Sequence, residues 1–146
     1  MTEVELREIT SETVRQVTAL AVAPDQEGYV ASNAISIAEA YFEPKAWFRA
    51  IAAGDELVGF AMVYRDATAG EFYVWRFMID AGHQGKGYGR RAVELLVEEA
   101  RRDGAERVTL SVVPGDRSAL GFYKQLGFVE TGAVHGKEIE LALPLS

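Results

Sequence analysis

The chain has 146 residues, 49% of them hydrophobic and 25% charged, which suits one globular domain over residues 1–146 with its own core and would be cramped for two. Zero cysteines exclude disulfides, thiolate metal sites and a cysteine nucleophile, and two histidines are too few for a histidine-built metal centre, so no metal is expected. A formal net charge of -7 argues against nucleic acid as a partner and in favour of cationic ligands.

VELREI alternates as a first strand would. No apolar run approaches the length that spans a bilayer, and the opening MTEVELREIT lacks the basic start and apolar stretch of a signal peptide. A soluble cytoplasmic protein with no membrane partner is therefore expected. SETVRQVTALAV reads as a helix capped by Ser11 that stops before Pro24. SNAISIAEAYF reads as a second, with Ser32 or Asn33 as cap and Pro44 as stop. WFRAIAA, ELVGFAMVY and EFYVWRFMI follow as three strands joined by the turn-like GD and RDATAG. Residues 88–102 form an amphipathic helix with Ala92, Leu95, Leu96 and Ala100 on one stripe and Gly104 as its stop. RVTLSVV is a strand that needs a crossover helix behind it. SALGFYKQLGF is a short helix ended by Gly127, and strands near FVETGAV and KEIELALPL close the chain. A meander, a crossover helix, then strand, helix and strand amount to an α+β sheet covered on both faces.

The join between strand and helix, HQGKGYGRR, carries the chemistry. A helix N-terminus presents unpaired N–H groups and a positive dipole end, and glycines at 85, 87 and 89 remove the side chains that would hold a phosphate off the backbone. Lys86, Arg90 and Arg91 add charge at the rim, so the loop reads as a pyrophosphate cradle. It is neither the lysine-terminated nucleotide loop nor the dinucleotide fingerprint, whose spacings differ. The alternative is a tight glycine turn feeding a solvated basic helix.

Gln84-Gly85-Lys86-Gly87-Tyr88-Gly89 resembles the Gln/Arg-x-x-Gly-x-Gly/Ala loop of the GNAT N-acetyltransferases. Residues 113–128, ending Ala119-Leu120-Gly121-Phe122-Tyr123-Lys124-Gln125-Leu126-Gly127-Phe128, are similar to that family's Asn-x-x-Ala-x-x-Phe-Tyr-x-x-x-Gly-Phe run, with Asp116 where the pattern usually has asparagine. The N-terminal half, including Gln26, Tyr29, Val30 and YVWRFMID, looks most like the bacterial spermine/spermidine or diamine acetyltransferase branch.

The resemblance implies the GNAT fold, a mostly antiparallel twisted sheet of six to seven strands with helices on both faces, and transfer of an acetyl group from acetyl-CoA to a primary amine, with a small polyamine-like acceptor expected. It implies a homodimer as well. Acetyl-CoA would be held by the loop from Gln84 to Arg90, by Asp116, Ala119 and Phe122, and by backbone groups of Phe77, Met78 and Ile79, where the family's fourth strand bulges and parts from the fifth. Tyr123 matches the general acid for the CoA thiolate.

An alkylamine of pKa near 10.4 is almost wholly protonated at pH 7, and freeing its lone pair costs about 4 to 5 kcal/mol. Glu71 and Tyr73 are the base candidates, acting through a water. Tyrosine's reference pKa near 10 lies above a thiol's near 8.5, so complete transfer to the thiolate in water is uphill by about 2 kcal/mol. Strand alternation puts Phe72, Val74, Arg76 and Met78 on one face and Tyr73, Trp75, Phe77 and Ile79 on the other, leaving Arg76 among apolar neighbours as a structural ion-pair partner. Asp25, Glu27, Glu39 and Glu43 give the acceptor side an acidic mouth that suits a polycation, and equally an aminoglycoside or a protein or peptide amine. His83 and His135 read as loop and turn residues, Trp47 and Trp75 as core. A non-catalytic acyl-CoA-binding or regulatory domain is the other function class left open.

Overall fold

In the computed structural model, which describes residues 3–29, 31–115 and 118–145, seven strands form one sheet in the order β1-β2-β3-β4-β5-β7-β6. The chain runs β1 (Val4–Arg7), α1 (Val14–Ala19), α2 (Asn33–Ala40), β2 (Ala46–Ala53), β3 (Glu56–Asp66) and β4 (Glu71–Ile79). It continues through α3 (Tyr88–Arg102), β5 (Arg107–Val112), α4 (Leu120–Gln125), β6 (Val129–His135) and β7 (Glu138–Pro144). Every neighbouring pair is antiparallel except β4 and β5, which α3 joins as a parallel crossover. No helix among the described residues is long and apolar enough to cross a membrane.

Alternation along the strands sends side chains into two cores. On one face Val58, Ala61, Val63, Phe72, Val74 and Leu110 pack under Ala92, Val93, Leu96, Val97 and Ala100 of α3, with Tyr123 and Phe128 beside them. Arg65 pins the far end of α3 to β3 through a two-pronged pair with Asp103 at 2.6 and 2.8 Å and a bond to Glu99 at 3.1 Å. On the other face Phe60, Met62 and Met78 pack with Val17 of α1 and Ile37 of α2.

The expected elements are present with shifted ends. Ser32 caps α2, accepting from the Ile35 N–H at 3.2 Å. Ser11 does not cap α1. Thr10 and Thr13 close a local turn there, the Thr10 N–H donating to Thr13 Oγ1 at 2.9 Å, and α1 begins only at Val14. Leu20 is extended and ends α1 at Ala19, so the first helix is half the expected length, and Pro24–Tyr29 form a 3-10 turn beyond it.

The face assignment of β4 is corrected past Val74. Val63 faces Val74 while its neighbour Met62 faces Arg76, so Trp75 is an extra residue with no partner on β3. This bulge reverses the alternation: Phe77 and Ile79 join the α3 face with Phe72 and Val74, and Arg76 and Met78 turn to the α1–α2 face.

Candidate active site

The glycine loop is anchored before it is shaped. Asp80 accepts from the Ala21 N–H at 3.0 Å and the Gly82 N–H at 3.3 Å, and its third contact is the His83 Nδ1 at 3.1 Å. His83 Nε2 stands 3.1 Å from Glu56 Oε2. The bond to Glu56 first, and that to Asp80 after burial has opposed it, raise the His83 pKa above its ordinary value. Burial would lift the Asp80 pKa, but the Ala21 amide, His83 and the Gly82 amide outweigh it and lower it. Gln84 Nε2 donates to the Ile79 carbonyl and to Gln26 Oε1, both at 3.0 Å, tying the loop to the end of β4 and to the 3-10 turn.

Gly85 and Gly87 then take φ of 78° and 85°, the left-handed region that glycine enters without penalty. Gly87 is the N-cap of α3 and no side chain caps it, so the first amides of α3, which lack intrahelical partners, stay open. A Cβ on Gly85 or Gly87 would meet nothing within 4 Å, whereas one on Gly89 would come within 3.3 Å of the Phe122 ring. Two glycines thus keep a space clear and the third lets α4 approach α3. The space is a cavity of about 550 Å³ that Met78, Ile79, Gln84, Gly87, Arg90 and Phe122 help to line. Arg90 reaches it. Lys86 is exposed outside the lining, and Arg91 turns along α3 to Glu94 at 3.3 Å and Glu98 at 3.5 Å. Val30 and Asp116 lie outside the described residues.

A second cleft, of about 290 Å³, opens where β4 and β5 part. The two strands pair only at Tyr73 with Thr109 and Val74 with Leu110. Beyond that, Trp75, Arg76 and Phe77 face Ser111, Val112 and Val113 across a gap. Phe77, Ser118, Ala119 and Tyr123 line this cleft and the first cavity alike. Tyr123 is 5% exposed, packed edge-on against Phe77, Phe122 and Phe128, and its hydroxyl has no hydrogen-bond partner among the described residues. Burial pushes its phenol far above the usual tyrosine range. It therefore stays protonated and able to donate.

The third space is a groove of about 660 Å³ on the α1–α2 face, walled by Glu43, Tyr64, Glu71, Tyr73, Trp75 and Glu140 among others. Trp75 lines both the groove and the β4–β5 cleft, so the two adjoin at its side chain. Trp75, expected in the core, is half-buried and walls both. Glu43, Glu71 and Tyr73 come together here as the sequence suggests, but Glu39 and Asp25 do not. Glu39 Oε1 accepts from Arg76 Nη2 at 3.0 Å, giving Arg76 the ion-pair role expected of it, although Arg76 Nε is buried with no hydrogen-bond partner among the described residues. Asp25 sits in the 3-10 turn next to Gln26, which lines the glycine-loop cavity on the other side. Glu140, Arg107 and Thr109 were not foreseen; only the strand order β5-β7-β6 brings them to the groove, and no local pattern signals it.

The geometry fits a nucleotide-bearing thioester: an anion-ready helix end, a long cavity, and a cleft with free backbone beside a phenol. The model of the acetyltransferase (GNAT) family matches residues 14–128. The spermine/spermidine N(1)-acetyltransferase of Bacillus subtilis (strain 168) is 27% identical over 140 residues, covering 88% of this chain and 90% of that one. Glucosamine 6-phosphate N-acetyltransferase 1 of Oryza sativa subsp. japonica is 36% identical over 94 residues, 64% of this chain and 54% of that one. Among solved structures, an N-acetyltransferase from Thermoplasma acidophilum in complex with coenzyme A superposes with a TM-score of 0.75 at 15% identity over 98% of this chain and 99% of that one, a likeness of fold. Since the family match takes in α1 through Phe128, and with it both the glycine loop and the Tyr123 helix, the chain belongs to the acetyltransferase (GNAT) family and is an acetyl-CoA-dependent N-acetyltransferase.

Proposed function

We propose that the acceptor is a small amine carrying more than one positive charge, of the diamine or polyamine class, bound in the groove on the α1–α2 face. The observation that carries this is the groove's carboxylates: Glu43, Glu71 and Glu140 share one space with the rings of Tyr64, Tyr73 and Trp75. Carboxylates attract ammonium groups at range, and aromatic faces hold them at contact. The similarity to a spermine/spermidine acetyltransferase across most of both chains supports the same class. In this reading acetyl-CoA lies with its pyrophosphate at Gly85, Gly87 and the first amides of α3 and its thioester in the β4–β5 cleft. Tyr123 donates to the departing sulfur. Its raised pKa makes full proton transfer harder, so its part is a hydrogen bond to the sulfur rather than transfer of its proton.

One observation favours a second reading. Arg107 also lines the groove and makes no ion pair among the described residues, which suits an amine with a neighbouring carboxylate or phosphate. A thiol-release assay with acetyl-CoA and a panel of spermidine, spermine, a simple monoamine, an amino acid, a short peptide and an amino-sugar phosphate decides between them. The polyamines should be turned over best, with a kcat/KM that falls as salt rises, because ions at ~0.15 M screen the field within about 8 Å. Glu43→Gln should raise KM for the polyamine more than for the monoamine. Equal turnover and equal salt slopes across the panel would remove the polyamine assignment.

A further inference from the structure

We propose that Glu140, on β7, is the carboxylate that takes the proton from the attacking amine. The inference deepens the acceptor reading and rests on it. The amine has to meet the thioester where β4 and β5 separate, because that is where the groove and the cleft join. The last β4–β5 pair is Val74 with Leu110. Ser111 is the first β5 residue beyond it, and Ser111 faces Glu140 across the β5–β7 ladder. Leu110 and Leu141 point into the α3 core, so Ser111 and Glu140 point the other way, to the acceptor face. Glu140 is thus level with the opening, at the end of the groove that Trp75 shares with the cleft.

Glu71 is at the other end. It begins β4 beside the Ala69–Gly70 turn, and at ~3.4 Å per residue it stands about 14 Å along the strand from Trp75. Its distance suits the remote amine of a polycation. The reacting nitrogen belongs to Glu140.

The side chain is also held for this task. Thr131 Oγ1 of β6 donates to Glu140 Oε1 at 2.8 Å, and the side chain is 20% exposed. The second oxygen, Oε2, lies 3.8 Å from His135 Nε2, whose side chain is 64% exposed. Oε1 is fixed by the Thr131 bond, Oε2 has only the longer contact to His135, and Glu140 as a residue lines the groove. The charged groups around it are His135 on β6 and Glu138 two residues back on the same strand, with Glu43, Glu71 and Arg107 elsewhere in the groove, Arg107 level with Glu71 at its far end.

The ammonium loses one proton to solvent, and the free nitrogen forms a bond to the acetyl carbonyl carbon. Bonded to that carbon, the nitrogen is far more acidic than a free ammonium, and a carboxylate can then take its second proton. The C–S bond breaks and its electron pair leaves on sulfur, which accepts a hydrogen bond from Tyr123 and takes a proton from water, while Glu140 returns its own to solvent. The sum is an amide, a thiol and one proton released.

The test uses the full chain and the amine that turns over best in the panel. Glu140→Gln keeps size and the Thr131 bond geometry and removes the base. We expect kcat to fall by ~10²-fold or more and acetyl-CoA affinity by calorimetry to stay within threefold. Glu140→Asp should recover part of the rate, and Thr131→Val, which frees the carboxylate to swing, should lose several-fold in kcat with acceptor KM little changed. Glu71→Gln should act on acceptor KM alone. A Glu140→Gln enzyme whose kcat is within threefold of the parent, or which loses only in KM, would overturn the assignment while leaving the acceptor class standing. A parent enzyme that releases thiol with no amine would take down the acceptor reading and this one together.

Discussion

Arg76 Nη2 donates to Glu39 Oε1 and its Nη1 to the Trp75 carbonyl, each at 3.0 Å. One guanidinium thereby joins α2 to the bulge of β4, satisfying a carbonyl of the residue that β3 leaves unpaired. Arg76→Ala strips that carbonyl of its donor and Glu39 of its partner, and should cost about 1–3 kcal/mol in urea unfolding. Glu39→Gln retains a hydrogen-bond acceptor at a side chain 44% exposed, and should cost under ~1 kcal/mol.

Gly87 separates strain from occupancy. At φ 85° any L side chain costs about 1–2 kcal/mol, so Gly87→Ala and Gly87→Glu should be destabilised alike. Only the glutamate puts a charge where the pyrophosphate is proposed to lie. Calorimetry should show acetyl-CoA binding weakened at least ~10-fold, ~1.4 kcal/mol, by Gly87→Glu and much less by Gly87→Ala. Equal affinities would move the anion away from this loop.

Tyr123→Phe keeps the ring contacts with Phe77, Phe122 and Phe128 and deletes an unpartnered hydroxyl, so melting should be unchanged or slightly higher. The rate should fall: kcat by ~10² to 10⁴, with acetyl-CoA affinity little altered. Because burial raises the phenol's pKa, the parent enzyme should show no loss of rate from Tyr123 ionisation on the alkaline side up to the ordinary tyrosine range near 10. A loss below threefold in the variant would leave Tyr123 with packing alone.

His83 gives stability a pH dependence of predictable sign. Its folded pKa is raised, so the stabilisation from Glu56 and Asp80 is complete below the unfolded value near 6.5 and is lost as pH rises through the folded pKa. The melting temperature of the parent should drop on going from pH 6 to pH 8.5 by more than that of His83→Gln. Parallel melting curves would show that the cluster contributes nothing.

What could be read from the residues was whatever depends on near neighbours. The α3 stripe, the Ser32 cap and the left-handed glycines each follow from a few adjacent positions, and so does the glycine loop that marks one half of the site. The faces of Phe77 and Ile79 could not be read, because the extra residue at Trp75 exists only in the register between β3 and β4. Nor could Glu140. It reaches the groove because β7 inserts between β5 and β6, a choice made by long-range pairing rather than by KEIELALPL itself. Ser11 failed as a cap for a local reason instead: Thr10 and Thr13 offered a competing turn one residue away.

The brevity of the β4–β5 ladder sets how the molecule gives way. Two paired positions join β1–β4 to the β5–β7–β6 unit, while β5 and β7 share six and β2 and β3 eight. Pulled apart across the sheet, the chain should rip along this line first, leaving two sub-sheets hinged by α3. Amides of Phe77 and Val112 should likewise exchange with deuterium well ahead of those in β2 and β3. A thioester threaded into the gap would act as a rivet, so slowed exchange on both lips, without any change in β2, is the mark a bound ligand should leave.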